Sequence, residues 1–168
     1  PDEDTLEQYR KYALEFLRLE HELNTLRDKP AITRDGVEIT LLANIEFPDE
    51  AAIALEKGAM GIGLYRTEFL YLQSGIEPTE EEHYDAYAET IKVFEGKPVV
   101  IRTMDLGADK LPHINKHSDE PNPVLGLRSI RYCLQNLTMF KAQLKALLRA
   151  SVLGDVRIML PLVNNLHE

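Results

Sequence analysis

The apolar positions Tyr9, Tyr12, Phe16, Leu19, Leu23 and Leu26 recur in alternating steps of three and four. That spacing predicts one long helix over residues 3–27 with a heptad-like seam. Asp2 or Asp4 suits its N-cap, the acidic first turn suits the helix dipole, and Pro30 lies just past its end. The seam spans under three heptads, so it reads as a packed helical arm rather than a self-sufficient coiled coil. Asp35-Gly36 then marks a turn.

Beyond that turn the period changes. Short apolar runs at Val37–Ile45, Gly61–Tyr65, Val99–Thr103 and Val156–Leu160 read as buried strands. Helical segments separate them. Pro48–Lys57 carries Pro and acids in its first turn and meets Gly58 as a stop. Thr79–Phe94 opens with Pro78 and a Thr79-x-x-Glu82 capping box. Two further helices are expected at 125–134 and 138–151, the second capped by Asn136. The order is β-α-β-α-β-α-α-β with no hairpin signal, so the strands run parallel through right-handed crossovers. Both a small doubly wound sheet and half of a (β/α)₈ barrel fit this order. A Rossmann G-x-G-x-x-G is missing, because Gly61-Ile62-Gly63 lies within a strand rather than after one. The balance moves to an α/β fold in which parallel βα units form the first half, about four strands, of a TIM-type (β/α)₈ barrel. The domain reading is a helical arm over residues 1–30 and the half barrel over 31–168.

Composition narrows the function classes. The chain has 168 residues, 44% hydrophobic and 28% charged, which is the balance of a globular domain with a core. Its net charge of −9 argues against broad nucleic-acid binding, which needs a basic surface. A single cysteine, Cys133, rules out an internal disulfide framework and suits a reducing, cytoplasmic compartment. No apolar run reaches the roughly 20 residues of a membrane span. The opening Pro1-Asp2-Glu3-Asp4 is unlike a basic signal-peptide start.

In parallel α/β folds ligands bind at the C-terminal strand ends. Asn44 closes the first expected strand, Arg66-Thr67-Glu68 the second, and Arg102-Thr103-Met104-Asp105 the third. Parallel strands would bring both arginines to one rim, a forked and permanently charged receptor for phosphate or carboxylate. Lys110, after a glycine-bearing loop, adds a point charge, and Arg128 can fold back over the same rim. The competing reading pairs the arginines structurally with Glu68 and Asp105. A fold needs no repeat of Arg-Thr followed by a carboxylate at consecutive strand ends, which favours the receptor. Glu68 and Asp105 could ligate a metal or orient the arginines, and orientation is preferred. His113 and His117 have helical spacing but sit among prolines, Cys133 reads as core, and His21 as solvated.

These residues resemble a known signature. Gly61-Ile62-Gly63-Leu64-Tyr65-Arg66-Thr67-Glu68-Phe69-Leu70 is similar to that of phosphoenolpyruvate-utilising enzymes, among them pyruvate phosphate dikinase, phosphoenolpyruvate synthase and Enzyme I of the bacterial phosphotransferase system. The Leu-Tyr-Arg-Thr-Glu-Phe form, with Pro78-Thr79-Glu80-Glu81-Glu82, resembles the Enzyme I family most. So do Val100–Asp105, Gly107-x-Asp109-Lys110, Asn122-Pro123-x-Leu125-Gly126-x-Arg128, Leu147–Ser151 and Arg157–Pro161. The resemblance runs along essentially the whole chain in order.

The resemblance implies a phosphoenolpyruvate–protein phosphotransferase, which moves a phosphoryl group to one of its own histidines and on to the carrier protein HPr, driving sugar uptake. It implies a barrel that binds phosphoenolpyruvate and Mg²⁺ and forms a homodimer. Arg66 and Arg102 correspond to arginines holding the phosphoryl group, Lys110 and Arg128 to further basic residues near it, and Asn44, Glu68 and Asp105 to supporting groups. The phosphohistidine motif Gly-Gly-x-x-Ser-His is absent, so HPr would be met through a region outside this sequence. The family's Mg²⁺ ligands and its proton-donating cysteine lie on later strands, and Cys133 does not match that cysteine. The chain therefore reads as a fragment with no catalytic residue and no metal ligand of its own, inactive alone. A non-catalytic regulatory or dimerisation module, or the nitrogen branch of the same enzyme, are the alternatives.

Overall fold

The computed structural model describes residues 2–74, 77–106 and 126–168, with the side chains of residues 73 and 74 left aside. Its contacts divide the chain into two units, Pro1–Thr40 and Leu41–Glu168.

In the first unit the apolar spacing does form a helix, α1 (Glu3–Asn24). Asp2 caps it, its side chain accepting the Thr5 N–H at 2.8 Å. No residue of α1 is buried, and the seam residues from Tyr9 to Leu26 are all exposed. After the helix, Gly36 at φ 88° closes the tight turn expected at Asp35-Gly36. The turn folds the chain back on itself, with Thr33 N–H on the Val37 carbonyl and Ile39 N–H on the Ala31 carbonyl. This corrects the reading of Val37–Ile45 as one buried strand. Backbone groups at 37 and 39 are engaged in that local antiparallel pairing, so only Ala43–Ile45 enters the sheet, as β1. Val37, Ile39 and Leu41 are exposed accordingly.

The second unit is α/β. After β1 come α2 (Glu50–Glu56), β2 (Ile62–Arg66), α3 (Glu68–Ser74), α4 (Glu80–Val93), β3 (Val99–Arg102), α5 (Ile130–Gln135), α6 (Leu137–Ala150), a 3₁₀ turn (Ser151–Leu153) and β4 (Val156–Met159). The capping box forms as read: Thr79 Oγ1 accepts the Glu82 N–H, and the Glu82 carboxylate accepts the Thr79 N–H at 2.7 Å. The short helix α3 was not legible, since it follows Thr67 with no separate cap or turn signal. Asn136 is not the side-chain cap expected for α6. Its amide donates to the Tyr132 carbonyl at 3.0 Å instead and closes α5.

The four strands pair in parallel in the order β1-β2-β3-β4. Each crossover steps the same way along the sheet. A doubly wound sheet would reverse its order partway, so the topology is that of the first half of a (β/α)₈ barrel, with the sheet not closed. Ile62, Tyr65, Val99 and Ile101 pack from the sheet against Tyr87, Ile91 and Phe94 of the α4 segment and Ala146, Leu147 and Ala150 of α6. A second cluster of Tyr71, Met104, Ile130, Tyr132, Cys133 and Phe140 lies under the strand ends. Gly61 explains one glycine of the signature. It holds φ 151°, and a Cβ there would stand 2.4 Å from the Pro98 carbonyl oxygen. No helix among the described residues is long and apolar enough to cross a membrane.

Candidate functional site

The register sets the site. Arg66 and Arg102 are direct partners across β2 and β3, at the last position of each strand. Register partners on adjacent parallel strands lie about 4.8 Å apart and point to the same side of the sheet. Two guanidinium groups thus leave one rim together, as the sequence expects.

Each arginine is held by carboxylates. Arg66 Nε donates to Asn44 Oδ1 at 3.2 Å, and its Nη2 forms an ion pair with Glu46. Glu46 is itself placed by Glu50 at the start of α2, whose carboxylate accepts the Phe47 N–H at 3.0 Å. Arg102 Nη2 meets Glu68 Oε2 at 3.1 Å and its Nη1 meets Asp105 Oδ2 at 3.1 Å. Arg128 reaches the same group from the start of α5, with Nε 3.1 Å from Asp105 Oδ1 and Nη2 3.2 Å from the Asp105 carbonyl. Glu68 also accepts the Asp105 N–H at 2.8 Å, so the two carboxylates are fixed to each other through the backbone.

Three guanidinium groups therefore face three carboxylates, Glu46, Glu68 and Asp105. The cluster is near neutral, so any anion it binds is held by oriented N–H donors rather than by bulk charge. Donors are left over, because a guanidinium carries five N–H groups in a fixed fork. Arg102 uses Nη1 and Nη2 on its carboxylates, while its Nε is buried with no hydrogen-bond partner among the described residues. An unsatisfied buried donor beside a charge costs about 1–3 kcal/mol. The arrangement can receive a multiply charged oxyanion at the strand ends.

The two Arg-Thr pairs have a structural logic that composition does not reveal. Thr67 Oγ1 donates to the carbonyl of Arg102, at 2.9 Å, and Thr103 Oγ1 to the carbonyl of Met159, at 3.4 Å. In each case the threonine after an arginine clamps the register partner of that arginine on the next strand. Ser129 adds a third device. It follows Arg128 directly, lies at φ 54°, and its hydroxyl bonds to Asp105. A non-glycine residue in that region is strained, and strain of this kind gathers at functional sites.

Arg66, Arg102, Arg128, Asn44, Glu68 and Asp105 thus come together. Lys110, His113 and His117 lie outside the described residues. Glu46, Ser129 and Gln143 were not singled out from sequence. Glu46 had a signal, since it stands two residues after Asn44 and so shares its side of the chain. Cys133 is buried, and burial pushes its thiol up to about 12, far from a nucleophile's range. Among the described residues no group of three or more His, Cys, Asp or Glu could hold a metal ion.

Known proteins resemble the chain along its whole length. The chain is 47% identical to a protein of Staphylococcus epidermidis named phosphoenolpyruvate-protein phosphotransferase, matched along 100% of the chain. Proteins of the same name from Staphylococcus carnosus and Priestia megaterium are each 44% identical, again along the whole chain. The chain spans 29% of the length of these relatives. A family model described as "PEP-utilising enzyme, PEP-binding domain" matches residues 20–168. By that match, which takes in most of its length, the chain belongs to the PEP-utilising enzyme family.

Proposed function

We propose that this chain is the arginine-bearing half of the phosphoenolpyruvate site of a phosphoenolpyruvate–protein phosphotransferase. The observation that carries the reading is the convergence of Arg66, Arg102 and Arg128 at one strand-end rim, where the Arg102 Nε–H has no partner among the described residues. The phosphate of phosphoenolpyruvate meets the free N–H donors of Arg66 and Arg102. Arg128 adds a further guanidinium beside them, and Lys110, outside the described residues, is assigned a supporting charge by the resemblance alone. As the bond to the enolate oxygen breaks, charge spreads over the phosphoryl oxygens, and preorganised guanidinium groups stabilise it without rearranging. Asn44, Glu68 and Asp105 orient the arginines. The colinear match along the whole chain supports this reading over a separate regulatory module.

Mg²⁺ belongs to the parent enzyme in this reading. Glu68 is committed to Arg102 and the Asp105 N–H, and Asp105 to Arg102, Arg128 and the Ser129 hydroxyl, so they do not fit a metal-ligand role, and no step here passes through the ion. Cytoplasmic location, a homodimer, and transfer to HPr and on to sugar uptake are parts of the same proposal for the longer protein. Calorimetric titration with phosphoenolpyruvate tests it. The chain should bind, and Arg66→Ala and Arg102→Ala should each weaken binding about tenfold or more, as loss of a charge-assisted contact requires. Unchanged affinity in both variants contradicts the site. The chain alone should release no pyruvate.

A further inference from the structure

Gln143 is out of place by composition. It sits on the buried stripe of α6, between Phe140 and Ala146, and is fully buried. Its surroundings fix which way its amide points. The Met104 N–H lies 3.1 Å from Oε1. A backbone N–H only donates, so Oε1 is the acceptor and Nε2 carries both donors. One donor goes to Thr67 Oγ1 at 3.1 Å and the other to Tyr87 Oη at 3.1 Å. Thr67 sends its own proton to the Arg102 carbonyl, which can only accept. Tyr87 in turn donates to His83 Nδ1 at 3.0 Å, which leaves His83 Nε2–H to donate to Tyr71 Oη at 3.2 Å. The direction of the bond from Thr67 to the end of β3 is thus tied to Gln143.

We propose that Gln143 is a positioning residue for the rim. From a helix that contributes no group to the site, it orients Thr67, and Thr67 clamps the end of β3 to the end of β2 so that Arg66 and Arg102 stand at a fixed separation. Thr67 directly follows Arg66 and Met104 stands two residues after Arg102, and both are bonded to Gln143, so one side chain grips both strand ends. The inference rests on the reading of the rim as the phosphoenolpyruvate site.

Four variants of the chain test it. Gln143→Met keeps the volume and removes the amide, Thr67→Val removes only the clamp, Thr67→Ser restores the hydroxyl, and Tyr87→Phe removes the branch that leads away from the rim. Affinity for phosphoenolpyruvate should fall about tenfold in Gln143→Met and Thr67→Val, as expected when binding groups are misplaced by a fraction of an ångström. It should stay within about twofold in Thr67→Ser and Tyr87→Phe, because Met104 and Thr67 still hold the amide. A second readout needs no ligand. The Arg102 Nε–Hε signal in a ¹⁵N spectrum should move in Gln143→Met and Thr67→Val and stay in Tyr87→Phe. Should Gln143→Met not fold, Thr67→Val carries both readouts. Wild-type affinity and an unmoved Arg102 signal in Thr67→Val overturn the inference, as does a Tyr87→Phe variant that loses as much affinity as Thr67→Val. Failure of the unmodified chain to bind phosphoenolpyruvate overturns the site reading instead, and the Arg102 signal still decides the positioning role.

Discussion

His83 makes the stability of this chain depend on pH in a calculable way. The imidazole is fully buried between Tyr71 and Tyr87, with a tyrosine hydroxyl on each ring nitrogen. Burial pulls its pKa from 6.5 down to about 4, with the nearby Glu82 charge opposing. The unfolded chain takes up a proton below about 6.5, while the folded chain does not until about 4. The unfolded state therefore holds more protons in that window, and stability falls as pH drops through it. Between pH 7 and pH 5 the loss is about 2 kcal/mol, from the ratio of the two proton-binding polynomials. The carboxylates held low in the fold, such as Asp155 and Glu82, lose their contribution only below their ordinary values, under about pH 4.5. The assay is urea unfolding at pH 7, 6 and 5 for the chain and for His83→Gln, whose amide can still accept from Tyr87 and donate to Tyr71. The variant should lose about 2 kcal/mol less over that range. Equal pH dependence in the two proteins would refute the claim that His83 is neutral in the fold.

Other outcomes follow from single residues. Ser129→Gly and Ser129→Ala both lose the hydroxyl bond to Asp105, but only glycine relieves the φ of 54°; the glycine variant should be the more stable by about 1 kcal/mol in thermal unfolding. Gly61→Ala places a Cβ 2.4 Å from the Pro98 carbonyl oxygen and should cost about 3 kcal/mol or more, or abolish folding, as seen by circular dichroism. Thr79→Ala breaks the capping box of α4 and should cost about 1 kcal/mol in denaturant unfolding, with no effect on ligand affinity.

The elements that carried their own punctuation were legible in the sequence. The capping box at Thr79, the stop at Gly58 and the apolar runs of β2, β3 and β4 all stand where local chemistry put them. Val37–Leu42 was misread because its alternation of apolar residues suits a strand, while the Asp35-Gly36 turn sends its first residues into a local antiparallel bridge. Asn136 stands at the N-cap position of α6 as read, but its side chain bonds back into α5, because a residue between two abutting helices can serve either one. At the site, strand-end position alone singled out Arg66, Arg102, Asn44, Glu68 and Asp105. The threonine clamps were visible as residues yet carried no meaning until the register paired Arg66 with Arg102. Gln143 shows the same limit. A lone glutamine on an apolar helical stripe was a readable anomaly, but its partners come from three other parts of the fold.

The central claim is that the Arg66–Arg102 rim receives the phosphate of phosphoenolpyruvate. The phosphorus resonance of phosphoenolpyruvate, followed by ³¹P NMR as the chain is added, tests this most directly. The account predicts a saturable shift of that resonance with the unmodified chain, and its loss with Arg102→Ala. A resonance that does not move, or that moves equally with Arg102→Ala, contradicts it.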